Sequence, residues 1–206
     1  MSASPSRFDK LEAHAGHLLD AFLLLRERYS MLAPLLFDKA VIAYHGSGPK
    51  FPGFNTLLNS LFLSCAQDIA TLSSDGDDRA PSIVNLVAAL DVAEVRDELR
   101  RRHAAWALTK IDESDAEIVA ALQKMQVRDQ QDRAARFDEL YAELHALWND
   151  FSASDKLKAF RTIRDKVSSH VEIRYIADKY QRVDVASLGL KWGDLKATIE
   201  IMQRVV

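Results

Sequence analysis

Residues 82–188 contain neither glycine nor proline, and all five prolines of the 206-residue chain lie at or before Pro81. Glycine and proline are the residues that most often break helices and mark turns. A run of more than a hundred residues without either, rich in alanine, leucine, arginine, glutamate and glutamine, is typical of long helices joined by polar turns. The sequence therefore predicts an all-α fold, a bundle of about six to eight helices.

Apolar residues at helical spacing divide the first part of the chain into three predicted helices. The first covers about residues 7–31, and Pro34 is expected to interrupt the chain before a short second helix that runs through Val41. Residues 45–53 are rich in glycine and proline and predict a loop. A mostly apolar helix over about residues 55–72 is expected at the centre of the bundle.

Capping residues predict helix boundaries further along the chain. A fourth helix is expected to begin at Pro81, and Ser114 with Glu117 forms a capping box at the start of the longest helix, residues 114–151. The middle of that helix, residues 128–133, has no apolar side chain. A continuous helix and a broken one therefore both remain open.

The C-terminal part carries its own boundary signals. Ser152 and Ser154 are N-cap candidates for the last long helix. Gly189 and Gly193 flank a turn before a closing helix over residues 194–206. These elements predict one domain covering residues 1–206, in which an N-terminal helical hairpin, about residues 7–45, packs on a core of about residues 55–206.

The single cysteine, Cys65, lies in an apolar run and excludes a disulfide framework or a CxxC redox pair within one chain. We expect it to be a small buried side chain rather than a nucleophile. A single cysteine without a disulfide partner is typical of a cytoplasmic protein. No apolar run approaches the roughly 20 residues of a membrane-spanning helix, and the first residues lack the apolar stretch of a signal peptide. The sequence therefore predicts no membrane association.

The formal charge of −3 does not favour a generally basic nucleic-acid-binding protein, but charge is unevenly distributed. Residues 156–182 hold eight lysines and arginines against three acids. A solvated helix face and a surface that attracts nucleic acid both fit this excess. The tryptophans and Tyr141 are interpreted as core residues, although Trp192 lies in a turn where exposure is also open.

One segment combines an apolar stripe with an arginine and a histidine. On an ideal α-helix, Arg164 and His170 lie about 60° to either side of the stripe. If the stripe packs against a two-fold copy, the polar groups of both copies face one shared cleft. The sequence therefore predicts a homodimer with a composite site. The stripe consists of Phe160, Ile163, Val167 and Val171.

The order Arg164, Asp165, then His170 after a gap of five residues resembles the signature of the HEPN superfamily (higher eukaryote and prokaryote nucleotide-binding). That signature is an arginine, usually followed by a polar residue, and a histidine after four to six positions. The surrounding segments look like the abortive-infection U-type (AbiU-like) branch, and the resemblance covers roughly residues 55–203. The segments that carry it are residues 61–72, 82–86, 164–170 and 188–195.

Arg96 and His103 also fit the bare spacing, with six residues between them. Their surroundings lack the family pattern, and the neighbouring arginines, residues 100–102, are typical of a solvated helix end. Arg164 and His170 are therefore the preferred pair.

The resemblance implies metal-independent cleavage of RNA, in phage defence or as a toxin, without a cofactor. The 2′-hydroxyl attacks the neighbouring phosphorus and leaves a 2′,3′-cyclic phosphate and a 5′-hydroxyl. His170 would be the general acid and base, since histidine titrates near neutral pH. Arg164 would stabilise the charge of the phosphorane, and Asp165 would orient His170 or the second subunit's arginine. Lys166, Arg161 and Ser169 would bind RNA phosphates.

Two other functions remain open. The alternative to the ribonuclease is a non-catalytic HEPN-like binding or scaffold module that pairs with a nucleotidyltransferase or another protein, which the low overall charge favours. It is also compatible with a toxin that an antitoxin neutralises, for example by modifying a tyrosine such as Tyr175.

Overall fold

The computed structural model describes residues 6–105, 115–168, 173–176, 179–182 and 188–206. Over these ranges the chain forms eight α-helices and one two-stranded antiparallel hairpin, which confirms the predicted helical fold. The helices are α1 (Arg7–Phe37), α2 (Lys39–His45), α3 (Phe51–Ser74), α4 (Ile83–Leu90), α5 (Ala93–Ala104), α6 (Ala116–Ala153), α7 (Asp155–Thr162) and α8 (Trp192–Val205). A 3₁₀ turn, Gly48–Lys50, precedes α3, and a π-helical turn, Ile163–Ser168, follows α7. The strands are β1 (Ile173–Ile176) and β2 (Lys179–Arg182).

The boundary between the first two helices lies beyond Pro34, so the expected interruption at that proline is wrong. α1 continues to Phe37 with Pro34 inside it, although proline removes one helical hydrogen bond and its ring crowds the preceding turn. The carbonyl of Pro34 accepts the N–H of Asp38 at 3.0 Å. The helix ends where Asp38 turns extended and its carboxylate accepts the N–H groups of Ala40 (2.8 Å) and Val41 (3.3 Å), capping α2.

The chain divides into two compact units, the first being Met1–Leu86 with Trp148–Val206 and the second Val87–Leu147. The single domain predicted from the sequence stays a prediction. In the first unit, α3 contacts α1, α7, the π-helical turn and α8. Its residues Phe62, Cys65, Ala66, Ile69 and Ala70 are fully buried, which confirms the predicted central position of this apolar helix.

The acidic loop that follows α3 is closed by the first turn of α4. The Asn85 amide nitrogen lies within hydrogen-bonding distance of the carbonyls of Asp75 (3.2 Å), Asp77 (2.6 Å) and Ala80 (3.0 Å). The Ser82 hydroxyl donates to the carbonyl of Asp75 at 2.6 Å. α4 thus begins at Ile83, two positions after the predicted start at Pro81.

The second unit consists of the end of α4, all of α5 and most of α6. The guanidinium of Arg100 in α5 donates two-pronged hydrogen bonds of 2.8–3.0 Å to Asp138 in α6. α6 is continuous across residues 128–133, which settles the question that the sequence left open. It contains no helix breaker, and Asp115 accepts the N–H of Glu117 at its start. Ser114 lies outside the described residues.

The C-terminal part departs from the sequence-based expectation. Ser154 accepts the N–H of Leu157 at 3.2 Å, which confirms it as the N-cap of α7. However, α7 ends at Thr162 and the chain then takes a π-helical turn, so the placement of the motif on an ideal α-helix is wrong for Ile163–Ser168. The β-hairpin was not predicted. α8 begins at Trp192, two positions before the predicted start.

None of the described helices is both long enough and apolar enough to cross a membrane.

Candidate functional site

Buried side chains of α7 and the π-helical turn anchor the segment that carries the predicted site. Leu157, Phe160 and Ile163 are fully buried, and the segment packs on the central helix α3. Phe160 and Ile163 therefore belong to the core of the chain itself. The expectation that these two residues form a surface stripe for a second copy is wrong, because α3 already covers the segment.

Arg164, Asp165 and Lys166 follow each other on the π-helical turn, with Arg164 and Lys166 half-buried and Asp165 exposed. The Nε–H of Arg164 donates to the Asp165 carboxylate at 2.7 Å. Such a charge-assisted bond restricts the orientation of a guanidinium more than a neutral bond does. Asp165 thus orients the arginine of its own chain.

Arg161 lies one helical turn before Arg164, near the end of α7, and is half-buried. Its Nε is shielded from solvent and has no hydrogen-bond partner among the described residues. A buried donor without an acceptor costs free energy, so such groups are rare and call for an explanation. Because this nitrogen is shielded from solvent, a bound anion would meet the exposed part of the Arg161 side chain rather than this atom.

The π-helical winding matters for the direction of these side chains. A π-helical turn pairs residues five apart rather than four, and such turns occur frequently at functional sites. The angular positions of Arg164, Asp165 and Lys166 therefore differ from those on an ideal α-helix. His170 and Ser169 lie outside the described residues, so their predicted roles stay predictions.

The first turn of α8 adds residues that the prediction of the site did not include. Lys156 Nζ in α7 lies 2.7 Å from Asp194 Oδ1, and the other oxygen of that carboxylate accepts the N–H of Lys191 at 2.8 Å. The lysine bond, together with the backbone bond, holds the pKa of the Asp194 carboxyl below its usual value. Trp192 lies between these residues with 40% of its surface exposed, edge-on to the buried Phe62.

The alternative pair, Arg96 and His103, lies on α5 in the second unit, and each residue is engaged separately. Arg96 donates to the Tyr141 hydroxyl at 3.3 Å, and this bond raises the pKa of the guanidinium. His103 Nδ1 lies 3.2 Å from the carbonyl oxygen of Arg133, and its ring contacts Phe137. These contacts give both residues a structural role within the unit.

The sequence pattern of the HEPN AbiU2 family matches residues 8–206 of the chain. The chain belongs to the HEPN AbiU2 family. This confirms the resemblance noted from the motif and its surroundings and extends it to the N-terminal helices α1 and α2. No curated protein and no solved structure matches the chain. The segment around Arg164 therefore lies within a HEPN AbiU2 sequence. The roles of its residues are inferred from the chemical properties of their side chains.

Proposed function

We propose that the chain is a metal-independent endoribonuclease of the HEPN type, which acts as a homodimer with a composite arginine–histidine site in phage defence or as a toxin. The observation that carries the proposal is the anchored cationic turn. Arg164 is oriented by Asp165 on a segment fixed by buried side chains, in a chain that belongs to the HEPN AbiU2 family.

An arginine and a histidine of the HEPN type supply all the groups that the reaction needs. His170 accepts the proton of the RNA 2′-hydroxyl as its oxygen attacks the adjacent phosphorus, and an imidazolium donates a proton to the departing 5′-oxygen. The bond formed is that from the 2′-oxygen to phosphorus, and the bond broken is that from phosphorus to the 5′-oxygen. The products are a 2′,3′-cyclic phosphate and a 5′-hydroxyl.

Fixed positive charge would stabilise the phosphorane that forms on this path. The planar guanidinium of Arg164 can donate two hydrogen bonds to phosphorane oxygens. Arg161 and Lys166 lie next to it in the chain, and their positive charges would attract RNA phosphates. Hydrogen-bond donors that already point to where negative charge develops in the transition state typically make the largest contribution to such catalysis.

A non-catalytic binding module is the second candidate, and the overall charge of the chain favours it. The chain carries a formal charge of −3, which is unusual for a protein that binds RNA through a broad basic surface. Such a module would associate with a nucleotidyltransferase or an antitoxin and leave RNA intact. The two candidates therefore differ in one measurable property, cleavage.

The test is incubation of the purified protein with single-stranded RNA in EDTA, followed by analysis of the product ends. The proposal predicts 2′,3′-cyclic phosphates and 5′-hydroxyls, and no cleavage at a position whose 2′-hydroxyl is replaced by hydrogen. Products with 3′-hydroxyl and 5′-phosphate ends would contradict the chemistry. Stable association with a partner protein and intact RNA would favour the binding module.

A further inference from the structure

Trp192 stands out in the first unit because it is a large, rigid aromatic side chain left partly in solvent beside basic residues. It retains 40% of its surface exposed, whereas Trp148 is buried with 8% exposed. An indole is costly to leave in water unless a partner covers it. Its position at the start of α8 is therefore a candidate contact surface.

The indole of Trp192 contacts the central helix α3 through Phe62. Its ring and that of Phe62 meet edge-to-face, with centroids 4.8 Å apart and planes at 87°. In this geometry Phe62 covers at most one face of the indole. Phe62 itself is fully buried in α3 and restricts the motion of the indole. The indole therefore loses less conformational entropy when a partner stacks on it.

Two lysines lie near the first turn of α8, which begins at Trp192. Lys191 directly precedes Trp192 and is exposed, and Lys156 Nζ lies 2.7 Å from Asp194 Oδ1, two positions after Trp192. Lys156 and Arg164 are eight positions apart in one continuous helical segment, on the order of 12 Å at the rise of an α-helix. A strand of nucleic acid that contacts both Arg164 and Lys156 would therefore span a few nucleotides.

We propose that Trp192 is a stacking platform for one base of a single-stranded RNA, with Lys191 and Lys156 attracting the flanking phosphates. The proposal rests on the proposed function for the identity of the strand. An aromatic face next to positive charge is the arrangement that binds single strands with little sequence preference, since every base has a π-face. Trp192 would thus fix the position of the strand relative to Arg164.

The test is binding of the full-length protein to two DNA oligonucleotides of equal length, a thymidine strand and an abasic sugar-phosphate strand. DNA lacks the 2′-hydroxyl nucleophile, so neither is cut by the proposed chemistry. Trp192→Ala should weaken binding of the thymidine strand by roughly 5- to 100-fold, the range that base stacking on an aromatic side chain produces. It should leave binding of the abasic strand unchanged.

Three further variants make the result specific. Trp192→Leu keeps an apolar contact with Phe62 and should behave like Trp192→Ala, whereas Trp192→Phe should retain most of the affinity. Tyr44→Ala is the matched control, because Tyr44 is an exposed aromatic residue of the same unit, with 65% of its surface exposed and Lys50 over its ring. It should bind both strands as the wild type does.

Equal binding of the thymidine strand by wild type and Trp192→Leu would overturn the proposal. So would an equal loss for both strands, or a change in subunit assembly, which would assign the indole to a protein contact. The failures are distinguishable. If the wild type cleaves RNA and Trp192→Leu binds the thymidine strand normally, only the proposed stacking platform is refuted. If binding depends on the bases and on Trp192 but RNA is not cleaved, only the proposed ribonuclease activity is refuted.

Discussion

Lys156 Nζ and Asp194 Oδ1 lie 2.7 Å apart and join the first turn of α7 to the first turn of α8. The same carboxylate accepts the N–H of Lys191. One aspartate therefore fixes both the start of the segment that leads to Arg164 and the residue that precedes Trp192. The candidate site and the proposed platform depend on a shared contact.

Asp194→Asn should lower the free energy of unfolding by about 1 kcal/mol at pH 7, as expected for a hydrogen-bonded ion pair whose lysine is half exposed to solvent. Because the pKa of the Asp194 carboxyl is lowered in the fold, its contribution is complete above the unfolded pKa of about 4 and is lost as the pH falls through the folded value. Urea unfolding at several pH values measures the difference between the two proteins.

The matched control for this ion pair is Asp132→Asn in α6, whose pair with Arg128 is long (3.8 Å) and exposed. It should change the free energy of unfolding by less than about 0.5 kcal/mol. A difference between wild type and Asp194→Asn that stays constant down to pH 2 would contradict the role assigned to the carboxylate.

Cys65 should be unreactive in the folded protein. It is fully buried, and burial together with the nearby Asp68 raises the pKa of its thiol to about 12. The thiolate fraction is then about 1000-fold below that of a thiol with the ordinary pKa of 9.0. Labelling by iodoacetamide at pH 8 should therefore be very slow until urea unfolds the protein, and equal rates in both states would refute the assigned burial.

Ile163→Val should cost about 0.5–1.5 kcal/mol of stability and also lower the rate of RNA cleavage, because Ile163 anchors the turn that carries Arg164. Ile199→Val is the control, since Ile199 is buried in α8 of the same unit. Urea unfolding and cleavage rates are compared for both. Similar stability losses with equal cleavage rates would show that the anchor does not position the site.

Local chemistry made much of the fold predictable. The lack of breakers in residues 82–188 indicated long helices, and Ser154 marked the start of α7 because a serine side chain can replace a missing helical hydrogen bond. The predicted end of the first helix before Pro34 was wrong because a proline removes only one hydrogen-bond donor. The residues packed around the proline decide whether the helix continues. The hairpin had a weak signal in the alternation of Ile173 and Tyr175 with charged neighbours.

The candidate site was less accessible to sequence reasoning. Its residues could be named from spacing and family resemblance, but the π-helical turn depends on how Phe160 and Ile163 pack against α3. The burial of the Arg161 Nε and the exposure of Trp192 are likewise results of tertiary packing. No periodicity in the chain encodes them.

The rate of RNA cleavage in EDTA by Arg164→Ala and His170→Ala, compared with wild type, is the most direct measurement. Each variant should lose about 10²- to 10⁴-fold in rate while unfolding at the wild-type urea concentration, as expected for loss of a general acid–base or of a phosphorane-stabilising donor. Arg136→Ala, at an exposed arginine of α6, should cleave normally. Full activity in His170→Ala would contradict the proposed ribonuclease.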